Sequence, residues 1–297
     1  MELKKILEKL GALTADGNFS FRQFMHEEDD APYDVYEITI LGQKSVLKKA
    51  KAYETEVYNA FFSHAPSYVP KIYAITQWQE DCYLWVEHIS GENLQKCNRE
   101  SLRLALDALI DMQSEHWGSE MVDCGYPLQT SRTQRKMRGE YLNDPILKQA
   151  YSRFLECYDT TPRTLCHDDF LPFQVIVSEN RAVMIDWEYG GILPYPVSLA
   201  RLIAHGSEDA ESLFFMTEDD KEFAVQYYYE HLIRKKGILF DDYRRTLDYF
   251  LFYEYCEWVY VGNKFGNTEN EYFKRYLPMA KAAAERLLEG PLDGCGF

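Results

Sequence analysis

The most informative part of the sequence reads His167-Asp168-Asp169-Phe170-Leu171-Pro172-Phe173-Gln174, and it is followed by Ile185-Asp186-Trp187. Apolar runs at 173–178 and 182–187 flank Glu179-Asn180-Arg181, which predicts a β-hairpin with one carboxylate before it and another after it. Phosphoryl transfer needs a carboxylate that positions the attacking hydroxyl group, together with oxygen ligands that hold magnesium on the phosphates. The pattern is typical of such a site.

Three polar residues of this stretch have predicted roles. Asp169 is expected to orient the hydroxyl group of the substrate and to accept its proton. Gln174 can offer an amide oxygen to magnesium, and Asp186 can bridge magnesium to the phosphates. For a single aspartate the simpler interpretation is a turn cap, but the ordered set between two apolar strands favours a kinase.

A second signal is Ser45-Val46-Leu47-Lys48, because a lysine at the end of an apolar strand can reach phosphates when a glutamate holds its ammonium group. The helix that follows offers two candidates. Glu54 shares the helix face of its apolar neighbours, whereas Glu56 lies about 200° away and is expected to face water. We therefore predict that Lys48 pairs with Glu54.

The rest of the chain predicts an α+β protein with two parts. Short β-type runs occur up to Ile89, and long amphipathic helices dominate after Ser90-Gly91. Residues 1–89 are expected to form a nucleotide-binding lobe, and residues 90–297 a helical catalytic and substrate-binding lobe, with a ligand cleft between them. The predicted strands are 19–26, 35–41, 44–50, 69–76 and 82–89, and the predicted helices include 52–63, 102–112, 133–157, 219–236, 243–261 and 270–289.

The stretch at 167–187 resembles the aminoglycoside phosphotransferase and choline kinase family, whose catalytic loop reads H-x-D-x-x-x-x-N and whose metal motif reads I-D-W. The matching residues are His167, Asp169, Ile185, Asp186 and Trp187, whereas Gln174 replaces the family's asparagine. The resemblance implies a protein-kinase-like fold with a small antiparallel β lobe and a larger helical lobe. It also implies a small-molecule kinase that uses ATP or GTP with Mg²⁺, with His167 and Asp169 as catalytic residues.

The segment Leu84-Trp85-Val86-Glu87-His88-Ile89-Ser90-Gly91-Glu92-Asn93-Leu94 resembles the lobe-connecting segment of the same family, E-x-I-x-G-x-x-L. The resemblance implies that Glu87, His88 and Ile89 contact the nucleotide base through their backbone. A buried strand that ends in a turn explains the pattern equally well, and both descriptions can hold together.

Two departures keep other functions open. The segment 27–34 is acidic and contains no glycine where a phosphate-cradling loop is expected, and Gln113 stands where relatives often carry histidine. The acidic segment, together with Gln174 in place of asparagine, motivates one alternative, a catalytically weak or inactive kinase-like nucleotide-binding protein. A metal-dependent phosphohydrolase is a remote alternative, because Pro162 and Pro172 place His167-Asp168 on a loop and no H-x-x-x-H pair occurs.

The acceptor site is expected in the C-terminal helices, where Glu254, Glu257 and Trp258 can share one helix face. Carboxylates and aromatic faces bind protonated amines, which favours a cationic acceptor such as an aminoglycoside or an amino alcohol. The competing interpretation is core packing, since the chain has 23 tyrosines.

The composition of the chain limits which binding partners and which cellular location are expected. A formal net charge of −16 makes nucleic acid an improbable partner, because the surface repels phosphodiesters. No stretch is apolar enough for a membrane span, and the N-terminus lacks the apolar run of a secretory signal. The seven scattered cysteines predict reduced thiols and a cytoplasmic protein.

Overall fold

The N-terminal part is an antiparallel five-stranded sheet with strand order β1-β2-β3-β5-β4. The computed structural model describes residues 2–25, 31–51 and 53–289. The elements of this part are α1 (Glu2–Lys9), β1 (Ser20–Met25), β2 (Pro32–Ile40), β3 (Gln43–Lys49), α2 (Glu54–Phe61), β4 (Ile72–Trp78) and β5 (Asp81–Glu87). The predicted β-rich start of the chain is therefore confirmed. Residues 27–30 of the predicted acidic loop lie outside the described residues, and Pro32 already belongs to β2.

A two-residue turn sets the register of β3. Leu41 and Gly42 both have positive φ, 51° and 79°, and Ile40 pairs with Gln43 across the turn. Such turns suit the twist of an antiparallel pair. On β3, Leu47 is buried in the small core beside α1. Because side chains alternate along a strand, Lys48 points to the other face, toward the helical part.

The C-terminal part is mainly helical and holds two small sheets. Its elements are β6 (Glu92–Asn93), α3 (Arg99–Glu115), α4 (Leu128–Gly139), α5 (Pro145–Thr160), β7 (Arg163–His167), β8 (Val175–Val177), β9 (Ala182–Met184), β10 (Gly190–Pro194), α6 (Pro196–Ala204), α7 (Glu218–Tyr228), α8 (Phe240–Phe265) and α9 (Glu271–Glu289). The predicted hairpin is confirmed as β8–β9, and β7 pairs with β10. The chain thus has the predicted α+β, protein-kinase-like architecture.

One predicted helix is wrong. The range 133–157 contains two helices, α4 and α5, rather than one. Asp144 caps the second helix by accepting hydrogen bonds from Ile146 and Leu147, and Pro145 occupies its first position. Proline fixes a φ angle that suits a helix start and has no N–H to donate, so the chain stops and restarts at this point.

The crossing between the two parts requires glycine. A Cβ atom on Gly91 would lie 2.2 Å from the carbonyl oxygen of Val177, closer than any side chain allows. The helix α2 also joins the parts, because its buried face belongs to the core of the helical part and the adjacent Phe62 packs edge-on against Trp187 at 4.7 Å. The division after residue 89 stays a prediction, because α2 packs with both sides.

The structure bears on two features expected from composition, membrane-spanning helices and reduced thiols. Among the residues that the structure describes, no helix combines the length and the apolar character needed to cross a membrane. Cys157 is disulfide-bonded, so the prediction of reduced thiols does not hold for that residue. The free thiols are Cys82, Cys97, Cys124, Cys166 and Cys256.

Candidate active site

A lysine between two carboxylates joins the sheet to the helical part. The Nζ atom of Lys48, on β3, lies 2.8 Å from Oε1 of Glu54 on α2 and 2.5 Å from Oδ1 of Asp186. The predicted pairing of Lys48 with Glu54 is therefore present in the structure. Glu56, the rejected candidate, faces solvent.

The charges of this cluster follow from burial and pairing. Burial opposes the charged form of Lys48, but Glu54 and Asp186 outweigh it and raise the lysine pKa. Burial likewise opposes ionisation of Asp186, yet the neighbouring Lys48 holds its pKa below the ordinary value. The Glu54 pKa is raised because that carboxyl group is almost completely buried. Lys48 and Asp186 are thus both charged at neutral pH.

The backbone at Asp186 is strained. Its φ and ψ angles are 64° and 63°, a left-handed conformation that is uncommon for residues other than glycine. Such a residue costs about 1–3 kcal/mol and persists where surrounding structure holds it, often at functional sites. The fully buried Trp187 fixes the backbone next to Asp186, because its indole Nε1 donates a hydrogen bond to the carbonyl oxygen of Met184 at 3.0 Å.

The ring of His167 is fully buried. Its assignment as a catalytic residue stays a prediction, and its contacts in the structure are those of a residue that positions the site. Burial lowers the pKa of the imidazole, so the ring is neutral and its Nε2 donates to the carbonyl oxygen of Ile185 at 2.8 Å. The backbone of His167 is also bound to Ser198 at 2.9 Å. His167 therefore ties the loop of Asp169 to the residue that precedes Asp186.

Gln174 lies beside Ile185. Its backbone carbonyl oxygen accepts a hydrogen bond from the backbone amide of Ile185 at 2.9 Å, and its backbone amide donates to the carbonyl oxygen of Leu171 at 2.8 Å. The side chain is largely buried, and within the described part of the chain its side-chain amide makes no hydrogen bond to protein. A side-chain amide oxygen without a protein partner fits a ligand for a hard cation.

The oxygen ligands that Asp186 and Gln174 offer fit magnesium bound to a nucleotide better than a metal held by protein alone. No group of three or more His, Cys, Asp or Glu side chains in residues 2–25, 31–51 and 53–289 is arranged to hold a metal. Mg²⁺ is commonly bound by one or two protein oxygens together with substrate phosphates and water. Asp186 and Gln174 supply such a pair.

The two neighbouring aspartates have different partners. Asp168 forms a bidentate pair with the buried Arg135, with distances of 2.5 and 3.1 Å. Asp169 accepts two hydrogen bonds on Oδ1 from Arg201, at 2.8 and 3.2 Å. The second oxygen of Asp169 has no hydrogen bond within the described part of the chain. Both carboxylate oxygens of Asp168 are therefore hydrogen-bonded within the protein, whereas Oδ2 of Asp169 remains available to a substrate.

Asp169 opens into a cavity of about 170 Å³ between α4, α6 and α8. Glu254 and Glu257, predicted as acceptor-binding residues, both line it. Trp258 does not, because its ring stacks on Tyr272 at 4.2 Å in the contact between α8 and α9. The lining residues are Tyr126, Gln134, Arg135, Arg138, Asp168, Asp169, Tyr189, Arg201, Tyr253, Glu254 and Glu257. A larger cavity of about 360 Å³ between α8 and α9 contains no predicted site residue.

Sequence reasoning missed the arginines of this cavity. Arg135 and Arg138 lie on α4, whose sequence is polar on every face, so no periodic signal distinguishes them. Arg201 could have been found, because it is the only charged residue of the otherwise apolar helix Pro-Val-Ser-Leu-Ala-Arg-Leu-Ile-Ala. A charged side chain in such a helix needs a buried partner.

The predicted base-contacting residues lie at the end of β5 and use their side chains within the protein. The carboxylate of Glu87 binds Arg181 at 2.7 Å and the Lys71 amide at 3.1 Å. The Nε2 atom of His88 lies 3.2 Å from Glu37. These contacts leave only the backbone of Glu87, His88 and Ile89 for a base, and that contact stays a prediction.

Comparison with known proteins gives a consistent result. Residues 15–228 match the model of a family described as the phosphotransferase enzyme family. A putative aminoglycoside phosphotransferase from Ralstonia eutropha has a TM-score of 0.63 at 13% identity, with 97% of this chain and 98% of that chain covered. A choline/ethanolamine kinase family protein from Mesorhizobium loti has a TM-score of 0.60 at 16% identity, with 98% and 96% covered. Choline kinase from Cryptosporidium parvum has a TM-score of 0.60 at 13% identity, with 97% and 96% covered. None of the curated proteins compared with the chain matches it.

Proposed function

Because the chain belongs to the phosphotransferase enzyme family, we propose that it transfers the γ-phosphate of ATP or GTP to a hydroxyl group of a small molecule. The observation that carries the proposal is the contact of Lys48 with Glu54 and Asp186, which joins the sheet to the helical part. A lysine fixed between two carboxylates is the arrangement that holds nucleotide phosphates in kinases.

Each residue has a role in this reaction. Lys48 binds phosphate oxygens, and Glu54 fixes the direction of its ammonium group. Asp186 and Gln174 would hold Mg²⁺, which would neutralise charge on the phosphates. Asp169 orients the acceptor hydroxyl group through its unpaired oxygen and takes up the proton. His167 keeps the Asp169 loop in register with Asp186 through its bond to Ile185.

A similar solved structure supports the choice of nucleotide and divalent cation. The amicoumacin kinase hAmiN, described in complex with AMP-PNP and Ca²⁺, has a TM-score of 0.59 at 12% identity, with 96% and 93% of the two chains covered. The preference for Mg²⁺, the choice between ATP and GTP, a cytoplasmic location and the lack of a nucleic-acid partner stay predictions.

The amine-bearing acceptor expected from Glu254 and Glu257 stays a prediction. Arginine binds each carboxylate through one oxygen, Oε2 of Glu254 by Arg201 at 2.9 Å and Oε2 of Glu257 by Arg138. The other oxygen of each carboxylate accepts no hydrogen bond within the described part of the chain, so the arginines do not exclude a protonated amine.

The test combines nucleotide binding with turnover. Nucleoside diphosphate release is measured with Mg-ATP and Mg-GTP against a panel of sugars, polyols, amino alcohols and aminoglycosides, with EDTA as the metal control. We expect Mg²⁺-dependent nucleotide binding and acceptor-dependent release. Mg²⁺-dependent binding without turnover of any acceptor would favour the inactive kinase-like alternative, and absence of nucleotide binding would overturn the proposal.

A further inference from the structure

Arg201 bridges two carboxylates of the acceptor cavity. It lies on α6, where it is the only charged residue, and its side chain is 22% exposed. Its Nε and Nη2 atoms both donate to Oδ1 of Asp169, at 3.2 and 2.8 Å, whereas Nη1 donates to Oε2 of Glu254 on α8 at 2.9 Å. All three residues line the cavity. One guanidinium group therefore ties the loop of the proposed base to α8.

The far side of this guanidinium group is anchored in the protein. The side chain of Glu254 is 3% exposed. Its Oε2 atom also lies 3.2 Å from Nε2 of His205, and Nδ1 of that ring lies 2.9 Å from the hydroxyl group of Tyr276 on α9. Burial opposes the charge of Arg201, but Glu254 and Asp169 outweigh it and raise its pKa. Arg201 is thus a charged group that contacts with α8 and α9 hold in place.

The contacts of Arg201 determine which oxygen of Asp169 is free. Both donors reach the same atom, Oδ1, and Oδ2 accepts no hydrogen bond within the described part of the chain. The carboxylate cannot turn about its Cβ–Cγ bond without breaking these hydrogen bonds. A general base acts only within hydrogen-bond reach of the proton that it takes up, and a displacement of about 1 Å can lower a rate by about a hundredfold. The orientation of Oδ2 thus depends on Arg201.

Asp168 offers a comparison within the same loop. Arg135 donates to both of its oxygens, at 2.5 and 3.1 Å, so neither oxygen lacks a partner. Arg201 holds Asp169 through one oxygen only. Two neighbouring aspartates are therefore each fixed by an arginine, but the geometry leaves an unbonded carboxylate oxygen at Asp169 alone.

We propose that Arg201 is a positioning residue of the phosphotransfer, which holds Oδ1 of Asp169 so that Oδ2 receives the proton of the acceptor hydroxyl group. The hydroxyl oxygen forms the new bond to the γ-phosphorus, the bond from that phosphorus to the β–γ bridging oxygen breaks, and nucleoside diphosphate leaves. The inference rests on the proposed function and adds a residue that none of the sequence motifs contains. The competing role is purely structural, because the buried carboxylate of Glu254 needs a cation.

The experiment is a double-mutant cycle between Arg201 and Asp169. Turnover is measured as nucleoside diphosphate release with Mg-ATP or Mg-GTP and with the compound among glucose, glycerol, ethanolamine and kanamycin that the wild-type protein phosphorylates fastest. We expect Arg201→Met to lower kcat by about a hundredfold without a change in the KM for the nucleotide. In the Asp169→Asn background, where no base remains to be oriented, the same substitution should change kcat by less than about twofold.

A second variant and a control accompany the cycle. Arg201→Met leaves Glu254 buried without its cation, which can unfold the protein. Arg201→Met/Glu254→Gln removes that uncompensated charge and is compared with Glu254→Gln alone in both backgrounds, where the same two factors are expected. Arg132→Met is the matched control, because Arg132 also pairs with an aspartate, Asp159 at 2.6 and 2.8 Å, but lies outside the cavity. Its loss should leave kcat unchanged in both backgrounds.

A purely structural role predicts a different result. Arg201→Met would then lower kcat by the same factor in the wild-type and the Asp169→Asn backgrounds, and this outcome would overturn the inference. Wild-type kcat in a folded Arg201→Met variant would also overturn it, as would a raised KM for the nucleotide at unchanged kcat. If the wild-type protein turns over none of the acceptors, the proposed function itself fails and the positioning role fails with it, so the two failures are distinguishable.

Discussion

The proposed nucleotide side and the proposed acceptor side of the site both consist of ion pairs, but the number and the kind of their cations differ. On the nucleotide side one cation, Lys48, lies between the carboxyl groups of Glu54 and Asp186. On the acceptor side three guanidinium groups oppose four carboxylates. Each cluster therefore has one more carboxyl group than cations. The first has a single ammonium group and is the proposed site for Mg²⁺, whereas in the second three guanidinium groups are paired with carboxylates.

This difference shows that a chain's overall charge does not predict the charge of its cavities. The chain has a formal net charge of −16, whereas the arginines of α4 and α6 pair with Glu257 and Glu254, the carboxylates that were expected to bind a cationic acceptor. The preference of a cavity depends on which charges are already paired. The predictions below separate the two sides.

The largest effect is expected for Asp169→Asn. Asparagine keeps the shape and can still accept hydrogen bonds from Arg201, but it cannot take up the proton of the acceptor. We expect kcat to fall by about a thousandfold, within the range for loss of a general base. Nucleotide affinity should not change, because Asp169 lies on the acceptor side. Turnover equal to wild type would remove Asp169 from the reaction.

The acceptor side should also be visible in the pH dependence of stability. Burial alone would raise the pKa of Glu254, but Arg201 and His205 outweigh it and lower that pKa from 4.5 to about 2. Because the pKa is lower in the folded state, the carboxylate stabilises the fold above pH 4.5, and this contribution is lost as the pH falls toward 2. The shift corresponds to about 3 kcal/mol.

The measurement is urea unfolding of the wild-type protein and Glu254→Gln between pH 7 and pH 3. We expect the difference in unfolding free energy to be largest above pH 5 and to shrink below pH 4.5. Comparison with the variant removes the contribution of other carboxylates. A difference that stays constant over this range would mean that Glu254 is not ionised in the folded protein.

The sequence predicted the nucleotide side better than the acceptor side, and the reason is chain distance. His167, Gln174 and Asp186 lie within one loop and one hairpin, so their order and spacing already define the arrangement. The acceptor cavity is assembled from α4, α6 and α8, which are far apart in the chain. Pairing among such helices depends on tertiary packing, and a polar helix such as α4 carries no periodic pattern that shows which residues face inward.

A smaller effect is expected for Asp186→Ala on the nucleotide side. The substitution removes a partner of Lys48 and an oxygen ligand for Mg²⁺, so the Kd for Mg-nucleotide should rise by on the order of 10- to 100-fold. Asp81→Ala is the control, because Asp81 also pairs with a lysine of the sheet, Lys49 at 2.8 Å, but at the surface. Equal affinities of the two variants, measured by titration calorimetry, would contradict the role of Asp186.

The smallest effect is expected for Gln174→Asn, which tests whether position 174 provides a metal ligand. Hydrogen bonds to Leu171 and from Ile185 fix the backbone here, so asparagine withdraws the amide oxygen by one methylene without moving the chain. Because the family pattern has asparagine at this position, we expect activity to be retained or raised, with a change only in the Mg²⁺ concentration for half-maximal rate. Gln134→Asn, in the acceptor cavity, should leave that concentration unchanged. Complete loss of activity in Gln174→Asn would show that the longer side chain does more than bind metal, and the nucleotide side would then differ from the family in mechanism.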